Sequence, residues 1–234
     1  TGTTWRTLDI LPVRDRVLQR AALDVLTPLL DPRFLPSSYG YRVGRSLQHA
    51  VARIVDLRDR GLTWVVDADI RRCFPSLDRE LLLRFVAEAV PDPALCRLLA
   101  AWIGEPARAD GRPHRGIVLG APVSPLLCNL YLHHLDASLG RRRYQLVRYA
   151  DDFVVLCKSE SHATYALRAT EKVLHGLELE LNPAKTRLVS FAEGFDFLGV
   201  RFERDDYSYL SEGKRVRVDD LPPAFFHYHA DGYE

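Results

Sequence analysis

The sequence predicts an α+β fold in which an antiparallel sheet carries helices on one face. Three observations favour it: an alternating apolar strand at 62–70, two strand-like runs that flank a tight acidic turn within 144–157, and helical periodicity in the segments around them. With the alternating stretch at 177–181, the order is strand, helix, hairpin, helix, strand. That order is typical of a ferredoxin-like sheet.

The N-terminal segments are predicted to be mostly helical. A short strand is expected at 6–10, followed by a helix at 14–30 that Asp31-Pro32 ends. The apolar stripe of this helix is formed by Val17, Leu18, Ala21, Ala22, Val25, Leu26 and Leu29. Ser46 is expected to cap a second helix, which Gly61 closes before the first strand.

The remaining elements are predicted from helix caps and chain breakers. Asp78 is a predicted N-cap, and Pro93 opens a helix that ends at Gly104. The later elements are a loop at 105–115, a helix starting at Ser124-Pro125, a helix at 161–174, a strand at 177–181 and a turn at Asn182-Pro183.

Composition predicts a globular chain in a reducing compartment. Of the 234 residues 47% are hydrophobic, which is enough for a sizeable core. No apolar run approaches the roughly 20 residues of a membrane span, and no signal peptide is evident, so we expect a cytoplasmic protein without a membrane partner. Four widely spaced cysteines indicate neither a zinc site nor a disulfide framework. Because the sequence contains no Met, it is expected to be a segment of a longer protein.

Positive charge is concentrated near the N-terminus. Residues 1–60 carry ten Arg, six Asp and neither Lys nor Glu, which gives +4, whereas the whole chain carries +1. This bias favours a phosphate-bearing partner. The alternative is a genome-wide preference for Arg, which outnumbers Lys 28 to 4 in the chain.

Four aspartates on the predicted sheet point to a metal site. Asp151 and Asp152 lie at the tip of the hairpin, where adjacent carboxylates repel each other unless a cation is present. The alternative is an ordinary polar turn. Strand 62–70 places Asp67 and Asp69 on one face, and buried carboxylates need partners or a metal. We expect Asp69 to meet Asp151 across the paired strands as bridging ligands, with Asp152 nearby.

Two pairs of motifs carry a resemblance to a known family. Tyr-Ala-Asp-Asp at 149–152 and Asp-Ile-Arg-Arg-Cys-Phe at 69–74 resemble the palm of a reverse transcriptase, most closely of the bacterial group II intron lineage. The segments 15–19 and 38–46 are similar to the fingers sequence of the same family. The resemblance runs from Arg6 to Phe202.

The resemblance implies the fingers and palm of a right-hand polymerase. Residues 1–61 correspond to the fingers, 62–95 and 116–202 to the palm, and 96–115 to the connection between them. Phe195–Val200 resembles the primer-grip hairpin. Residues 203–234 are interpreted as a C-terminal hairpin and a tether, which are too short to build a recognisable thumb.

The same resemblance assigns catalytic roles. The family's metal ligands fall on Asp69, Asp151 and Asp152, with the backbone carbonyl of Ile70 as an extra ligand. They would hold two Mg²⁺ ions, for which Mn²⁺ can substitute, since hard oxygen ligands favour these metals. Lys185 is implied as the group that protonates the departing pyrophosphate. The alternative for Lys185 is a solvated charge at a strand end.

Three further positions are implied to contact the nucleotide. Arg6 would bind the triphosphate through its planar fork, Phe74 would act as an aromatic gate against a 2′-hydroxyl, and Gly120 would let the backbone approach the nascent pair. The alternatives are a surface Arg6 and a core Phe74. The chain has Val118-Leu119 where the family usually has Pro-Gln, so an amide that touches the nucleotide is replaced by apolar contact.

The function implied is an RNA-directed DNA polymerase that copies an RNA or DNA template-primer with dNTPs. A metal-dependent nuclease would leave the Gly-rich segment before Ser124 and Phe74 unexplained. An RNA-dependent RNA polymerase is disfavoured by the ring at position 74. A non-catalytic or weakly active nucleic-acid-binding palm module is disfavoured because all three carboxylates are present.

The biological context stays open among a mobile intron, a retron-like element, phage defence and CRISPR spacer acquisition. The absence of Met and the tether-like end suit a reverse transcriptase fused to a CRISPR adaptation integrase.

Overall fold

The computed structural model describes residues 10–104, 114–211 and 214–217. Its helices are α1 Val13–Leu30, α2 Leu47–Asp59, α3 Cys73–Ser76, α4 Arg79–Ala89, α5 Pro93–Ile103, α6 Ser124–Arg141 and α7 Glu160–Gly176. Its strands are β1 Trp64–Asp69, β2 Gln145–Tyr149, β3 Asp152–Cys157, β4 Arg187–Ser190, β5 Phe195–Phe197, β6 Val200–Glu203, β7 Asp206–Ser211 and β8 Lys214–Arg217.

The chain divides into two compact units. The helical unit comprises the described parts of Thr1–Phe34, Arg72–His133 and Leu177–Leu179, and the sheet unit comprises those of Leu35–Arg71, His134–Gly176 and Glu180–Glu234. Both β-sheets belong to the sheet unit.

The first sheet has the strand order β2-β3-β1-β4, and all of its pairs are antiparallel. Strands that are consecutive in the chain are therefore separated in the sheet, except for the β2–β3 hairpin. This is the order of a ferredoxin-like sheet, in which helices connect the outer and inner strands. The predicted α+β fold with an antiparallel sheet is confirmed.

The second sheet is a meander in which β5, β6, β7 and β8 follow one another in antiparallel pairs. Its inner side carries aromatic side chains: the rings of Phe195 and Phe202 stack with centroids 5.1 Å apart, and Phe191 meets Phe195 edge-on at 5.2 Å. These residues belong to the core that also includes Val65 of β1 and Ile54 of α2. A hairpin is present at the predicted 195–200 segment, formed by β5 and β6, and the C-terminal hairpin expected within 203–234 is formed by β7 and β8.

The predicted caps are mostly confirmed. The Ser46 hydroxyl accepts a hydrogen bond from the His49 amide at 3.4 Å, and the Asp78 carboxylate accepts one from the Leu81 amide at 2.9 Å. Helix α5 ends at Ile103, and the predicted Gly104 is its C-cap, with a positive φ of 84°. Helix α6 begins at Ser124, but the Ser124 hydroxyl donates to the Val118 carbonyl at 2.6 Å.

The predicted apolar stripe of α1 is wrong in part. Ala22 and Leu26 are buried, whereas Val17, Leu18, Val25 and Leu29 are exposed. The helix turns the polar Gln19 inward instead, where its side-chain oxygen accepts a hydrogen bond from the Val123 amide at 3.4 Å. A buried amide with a hydrogen-bond partner is tolerated, and periodicity alone does not reveal that partner.

The predicted strand at 177–181 is also wrong. Glu178 adopts a left-handed conformation, with φ of 55°, which interrupts an extended strand. Arg115 holds this turn by donating to the carbonyl and to the carboxylate of Glu178, at 2.8 and 2.9 Å. Leu181 forms an isolated bridge with Ile70, and the fourth strand of the sheet begins only at Arg187.

Three sequence predictions fall on residues that the structure does not describe. They are the strand at 6–10 apart from Ile10, the loop at 105–115 apart from its last two residues, and the tether beyond residue 217. Among the helices of the described ranges, none is long and apolar enough to cross a membrane.

Candidate active site

The candidate site is built on the ends of β1 and β3. Asp69 is paired with Asp152 in the antiparallel register. The Asp69 carbonyl accepts a hydrogen bond from the Asn182 amide at 2.8 Å, so the Asp69 backbone groups point away from β3. Asp69 and Asp152 therefore form a non-hydrogen-bonded pair, the type in which facing side chains are closest, with Cα atoms about 4.5 Å apart.

This register puts Asp152, rather than Asp151, directly opposite Asp69. The β2–β3 hairpin pairs Tyr149 with Asp152, which leaves Ala150 and Asp151 as a two-residue turn. Ala150 has a positive φ of 57°, as the first position of such turns requires. Which of the two hairpin carboxylates bridges metal ions stays a prediction.

The segment before β4 supplies two partners for Asp69. Lys185 Nζ lies 3.2 Å from Asp69 Oδ1, and Asn182 Nδ2 donates to Asp69 Oδ2 at 3.1 Å. The turn is held by the Lys185 and Thr186 amides, which both donate to the Asn182 carbonyl. Lys185 keeps 58% of its side chain exposed, whereas Asp69 keeps 16%. The structure thus brings Lys185 to the predicted site, and Asn182 is a contact that sequence reasoning missed.

Negative charge is incompletely compensated at the hairpin. Partial desolvation and the repulsion from Asp151 and Asp69 raise the pKa of Asp152 to about 6, and Lys185 opposes the rise. Burial is the larger cause of the raised pKa and the carboxylate repulsion adds to it, although part of the Asp152 side chain stays exposed. A cation among these groups would relieve the repulsion.

A second acidic position adjoins the first. Arg187 faces Asp67 across β1 and β4, and its Nε donates to Asp67 Oδ2 at 2.9 Å. Burial of the Asp67 carboxyl group is the main cause that raises its pKa, and Arg187 opposes it. Asp67, Asp69, Asp152 and Lys185 line one open cleft of about 310 Å³ together with Asp196.

The oxygen atoms of these carboxylates are chemically suited to bind a hard divalent cation. Carboxylate oxygens are the ligands that Mg²⁺ prefers. The Ile70 carbonyl can join them: the bonds from Arg71 to Glu180 and from Asn182 to Asp69 leave the Ile70 backbone groups pointing to the hairpin side of β1. Within the described residues, no three His, Cys, Asp or Glu side chains are grouped closely enough to hold a metal ion. Lys185 and Asn182 each contact one of the two carboxylate oxygens of Asp69.

The other predicted site residues belong to the helical unit or lie outside the residues that the structure describes. Phe74 is 9% exposed, and its carbonyl accepts a hydrogen bond from the Ile117 amide at 3.1 Å. A Cβ on Gly116 would meet the Pro75 carbonyl oxygen at 2.8 Å, so the glycine allows residues 116–117 to pack on this backbone. Gly120 is exposed and has a positive φ of 94°. Arg6 lies outside the described residues.

Comparisons with known proteins identify the family. Residues 1–202 match the model of the family described as reverse transcriptase (RNA-dependent DNA polymerase). The chain belongs to the reverse transcriptase family. It is 31% identical over 264 residues to protein YkfC of Escherichia coli, covering 93% of the chain and 67% of YkfC. It is 29% identical to the group II intron-encoded protein LtrA of Lactococcus lactis, covering 56% of the chain and 22% of LtrA.

A structural comparison shows the same fold. The telomerase of Candida albicans, in a structure with a fragment of telomeric RNA, superposes with a TM-score of 0.61 over 84% of this chain and 37% of the telomerase chain, at 15% identity. The polymerase fingers and palm predicted from the sequence are thereby confirmed, as is the relationship to group II intron proteins. The reverse transcriptase chain spans only part of each of these proteins.

Sequence reasoning missed a buried cluster beneath the hairpin. Arg148 of β2 is fully buried and pairs with the equally buried Asp136 of α6 at 2.6 Å. Gly40 packs on the hairpin turn, since a Cβ there would overlap the Ala150 amide and lie 3.0 Å from the Tyr149 carbonyl carbon. The available signal was an Arg inside an apolar strand, because a buried charge requires a partner.

Replacing Asp152 by Asn should stabilise the metal-free protein at pH 7–8. A raised pKa means that the folded state binds this proton more tightly, so the wild type gains stability as the pH falls from about 6 toward 4. The variant should lack this gain. Because exposed charges are screened, we expect the variant's free energy of unfolding at pH 7–8 to be higher by only about 1 kcal/mol, which corresponds to a Tm higher by about 2–4 °C. Thermal unfolding without divalent metal measures it. Asp24→Asn, on the surface of α1, controls for net charge, and an unchanged or lower Tm for Asp152→Asn would contradict the repulsion.

Replacing Gly40 by Ala should destabilise the hairpin. The added methyl group has no room against the backbone of Tyr149 and Ala150, and such overpacking costs about 1–3 kcal/mol. Gly176→Ala is the matched control, since a Cβ there meets no atom within 4 Å. Urea unfolding of both variants tests the prediction, which fails if the two have equal midpoints.

Proposed function

We propose that this chain is the catalytic part of an RNA-directed DNA polymerase that extends a primer on an RNA or DNA template with dNTPs. One observation carries the proposal: in a chain of the reverse transcriptase family, Asp69 and Asp152 face each other beside Asp151. Three carboxylates on paired strands are otherwise unfavourable, and binding of divalent cations provides a reason for their proximity.

The metal ligands that we assign are Asp69, Asp151, Asp152 and the Ile70 carbonyl. Reverse transcriptases generally use divalent metal ions, and we infer two Mg²⁺ ions here, with Mn²⁺ as a substitute. When bound, the metal pair activates the primer 3′-hydroxyl and neutralises the leaving pyrophosphate. The role of the chain itself is to hold Asp69 and Asp152 opposite each other on adjacent strands, with Asp151 in the turn beside them.

Lys185 is the proton donor in this proposal. Its ammonium lies 3.2 Å from Asp69 Oδ1, at the metal ligands, and more than half of its side chain is accessible. A proton held at this position can pass to a pyrophosphate oxygen as the phosphoryl bond breaks. Asn182 fixes the turn that presents Lys185.

Three residues are assigned to the incoming nucleotide. Phe74 excludes a 2′-hydroxyl, Arg6 contacts the triphosphate, and Gly120 permits close approach of the backbone to the nascent base pair. The burial of Phe74 and its backbone bond to Ile117 support a rigid ring. The proposed subdivision of the chain is fingers at 1–61, palm at 62–95 and 116–202, a connection at 96–115, and a C-terminal hairpin and tether at 203–234.

The chain is proposed to act as one domain of a longer protein. The chain matches 22% of the length of LtrA, so most of LtrA lies outside the part that resembles this chain. Fusion to a CRISPR adaptation integrase, with a role in antiviral defence, is the arrangement that we propose to test first. Determination of the flanking sequence decides it, and a flanking intron-maturase segment would contradict it.

Replacing Asp69 by Ala should abolish primer extension on an RNA template. Loss of one electrostatic contribution of this kind lowers turnover by about a hundredfold to a thousandfold. The measurement is dNTP incorporation in MgCl₂, with unchanged circular dichroism to show that the fold persists. Asp59→Ala, on the exposed surface of α2, is the control.

Two results would overturn the proposed polymerase. If Asp69→Ala extends the primer within tenfold of the wild type, the metal-site assignment fails. If the wild type binds a template-primer but never extends it under these conditions, the chain is a non-catalytic nucleic-acid-binding module. That alternative is favoured by the substitution of Val118-Leu119 for the family's Pro-Gln.

Replacing Phe74 by Val should admit ribonucleotides. A smaller side chain leaves space for a 2′-hydroxyl, so the preference for dGTP over GTP should fall by at least about tenfold. Phe85→Val is the matched control, because both phenylalanines are 9% exposed and both lie in the helical unit. Equal discrimination in the two variants would make Phe74 a core residue only.

A further inference from the structure

We propose that Arg148 and Asp136 position the β2–β3 hairpin from beneath and thereby orient the carboxylates of Asp151 and Asp152. Arg148 is a positioning residue in this proposal and contacts neither metal nor substrate. The inference rests on the proposed function for its catalytic consequence, but the arrangement of the hairpin can be measured without it.

The Arg148 guanidinium donates hydrogen bonds to three parts of the sheet unit. Its Nε and Nη2 donate to the two carboxylate oxygens of Asp136 at 2.7 and 2.6 Å. Nη2 also donates to the Ser38 hydroxyl at 2.9 Å, and Nη1 donates to the Ala150 carbonyl at 2.8 Å. The two bonds to Asp136 fix the plane of the guanidinium, and a fixed plane aims Nη1 at one point.

That point is the turn of the hairpin. Ala150 is a non-glycine residue in a left-handed conformation, which is unfavourable unless the surroundings hold it. Its carbonyl belongs to the peptide that leads into Asp151. Rotation of this peptide would change the direction in which both hairpin carboxylates leave the turn, and the bond from Arg148 opposes that rotation.

The backbone of the 37–40 segment holds the same turn from a second side. The Arg148 amide donates to the Ser37 carbonyl, and the Tyr39 amide donates to the Arg148 carbonyl, both at 2.8 Å. Gly40 then lies against Ala150 with no space for a Cβ. Segment 37–40 thus extends the sheet at the edge of β2, and Ser38 also binds the guanidinium.

A purely stabilising role does not explain this choice of residues. A fully buried ion pair loses hydration that its attraction only partly returns, and apolar pairs of similar volume often stabilise a fold as well or better. An apolar pair cannot donate to the Ala150 carbonyl. Groups that orient metal ligands without touching the metal typically contribute about ten- to a hundredfold in affinity or activity.

The double variant Arg148→Met/Asp136→Leu separates positioning from stability. It removes both charges together, so no unpaired charge stays buried, and we expect a Tm within a few degrees of the wild type. Hydrogen exchange at the amides of residues 151–153 should become at least about tenfold faster, while exchange in α2 stays unchanged. Mn²⁺ affinity, measured by calorimetry without nucleic acid, should fall about ten- to a hundredfold. Turnover in primer extension should fall similarly, with little change in KM for dNTP.

Further variants keep the proposal testable if the double variant does not fold. Arg148→Lys keeps the charge opposite Asp136 but lacks the fork that reaches Ala150, and Ser38→Ala removes one contact only. Arg148→Lys should accelerate exchange at 151–153, and Ser38→Ala should do so to a smaller extent. Arg53→Met is the matched control, because Arg53 donates to Gln145 at the other end of β2. It should change none of these quantities.

The outcomes distinguish this proposal from the proposed function. Wild-type exchange at 151–153 in a folded Arg148 variant overturns the positioning role, whatever the activity. Faster exchange with unchanged Mn²⁺ affinity also overturns it, because the carboxylates would then not depend on the turn. A wild type that binds Mn²⁺ but does not extend a primer contradicts the polymerase, while exchange and Mn²⁺ affinity still decide the role of Arg148.

Discussion

The repulsion among three carboxylates is the interaction on which the rest of the site depends. The antiparallel register of β1 and β3 brings Asp69 opposite Asp152, and the two-residue turn adds Asp151 next to them. Hydrophobic burial of the strands provides the free energy that holds these charges together, since Val65, Val154 and Leu156 are almost fully buried. The buried core therefore holds these carboxylates together against their mutual repulsion, and a bound cation, as proposed, would relieve that repulsion.

Much of this arrangement could be predicted from the sequence because it depends on local rules. Period-two alternation located β1 and placed Asp67 and Asp69 on one face, and the acidic turn located the hairpin. The register could not be predicted, because it depends on the left-handed Ala150 and a two-residue turn. With this turn, Asp152 and not the expected Asp151 lies opposite Asp69. The strand expected at 177–181 failed for a similar reason, since its alternation gives no sign of the left-handed Glu178 that Arg115 holds.

Long-range polar contacts were beyond the reach of sequence patterns. Arg148 and Ser38 are 110 residues apart, and no periodicity connects them. Asn182 was recognised only as a turn residue, although its amide group donates to Asp69. An Arg inside an apolar strand is unusual, whereas an Asn in a turn is common, and in both cases only the fold reveals the partner of the side chain. The family resemblance pointed to Lys185, and the structure places its ammonium 3.2 Å from Asp69 Oδ1, while its catalytic role stays a prediction.

The position of Lys185 links the charges of the site to its chemistry. In the arrangement described here its ammonium offsets part of the charge on Asp69, and Asn182 occupies the other carboxylate oxygen. Ligation of a cation by Asp69 requires these oxygens, so it competes with both contacts. In the proposed mechanism this competition would release the Lys185 ammonium from Asp69, and the negative charge of a departing pyrophosphate would attract it. In the proposed mechanism, the one turn from Asn182 to Lys185 would offset the charge of Asp69 before a cation binds and would present the proton donor afterwards.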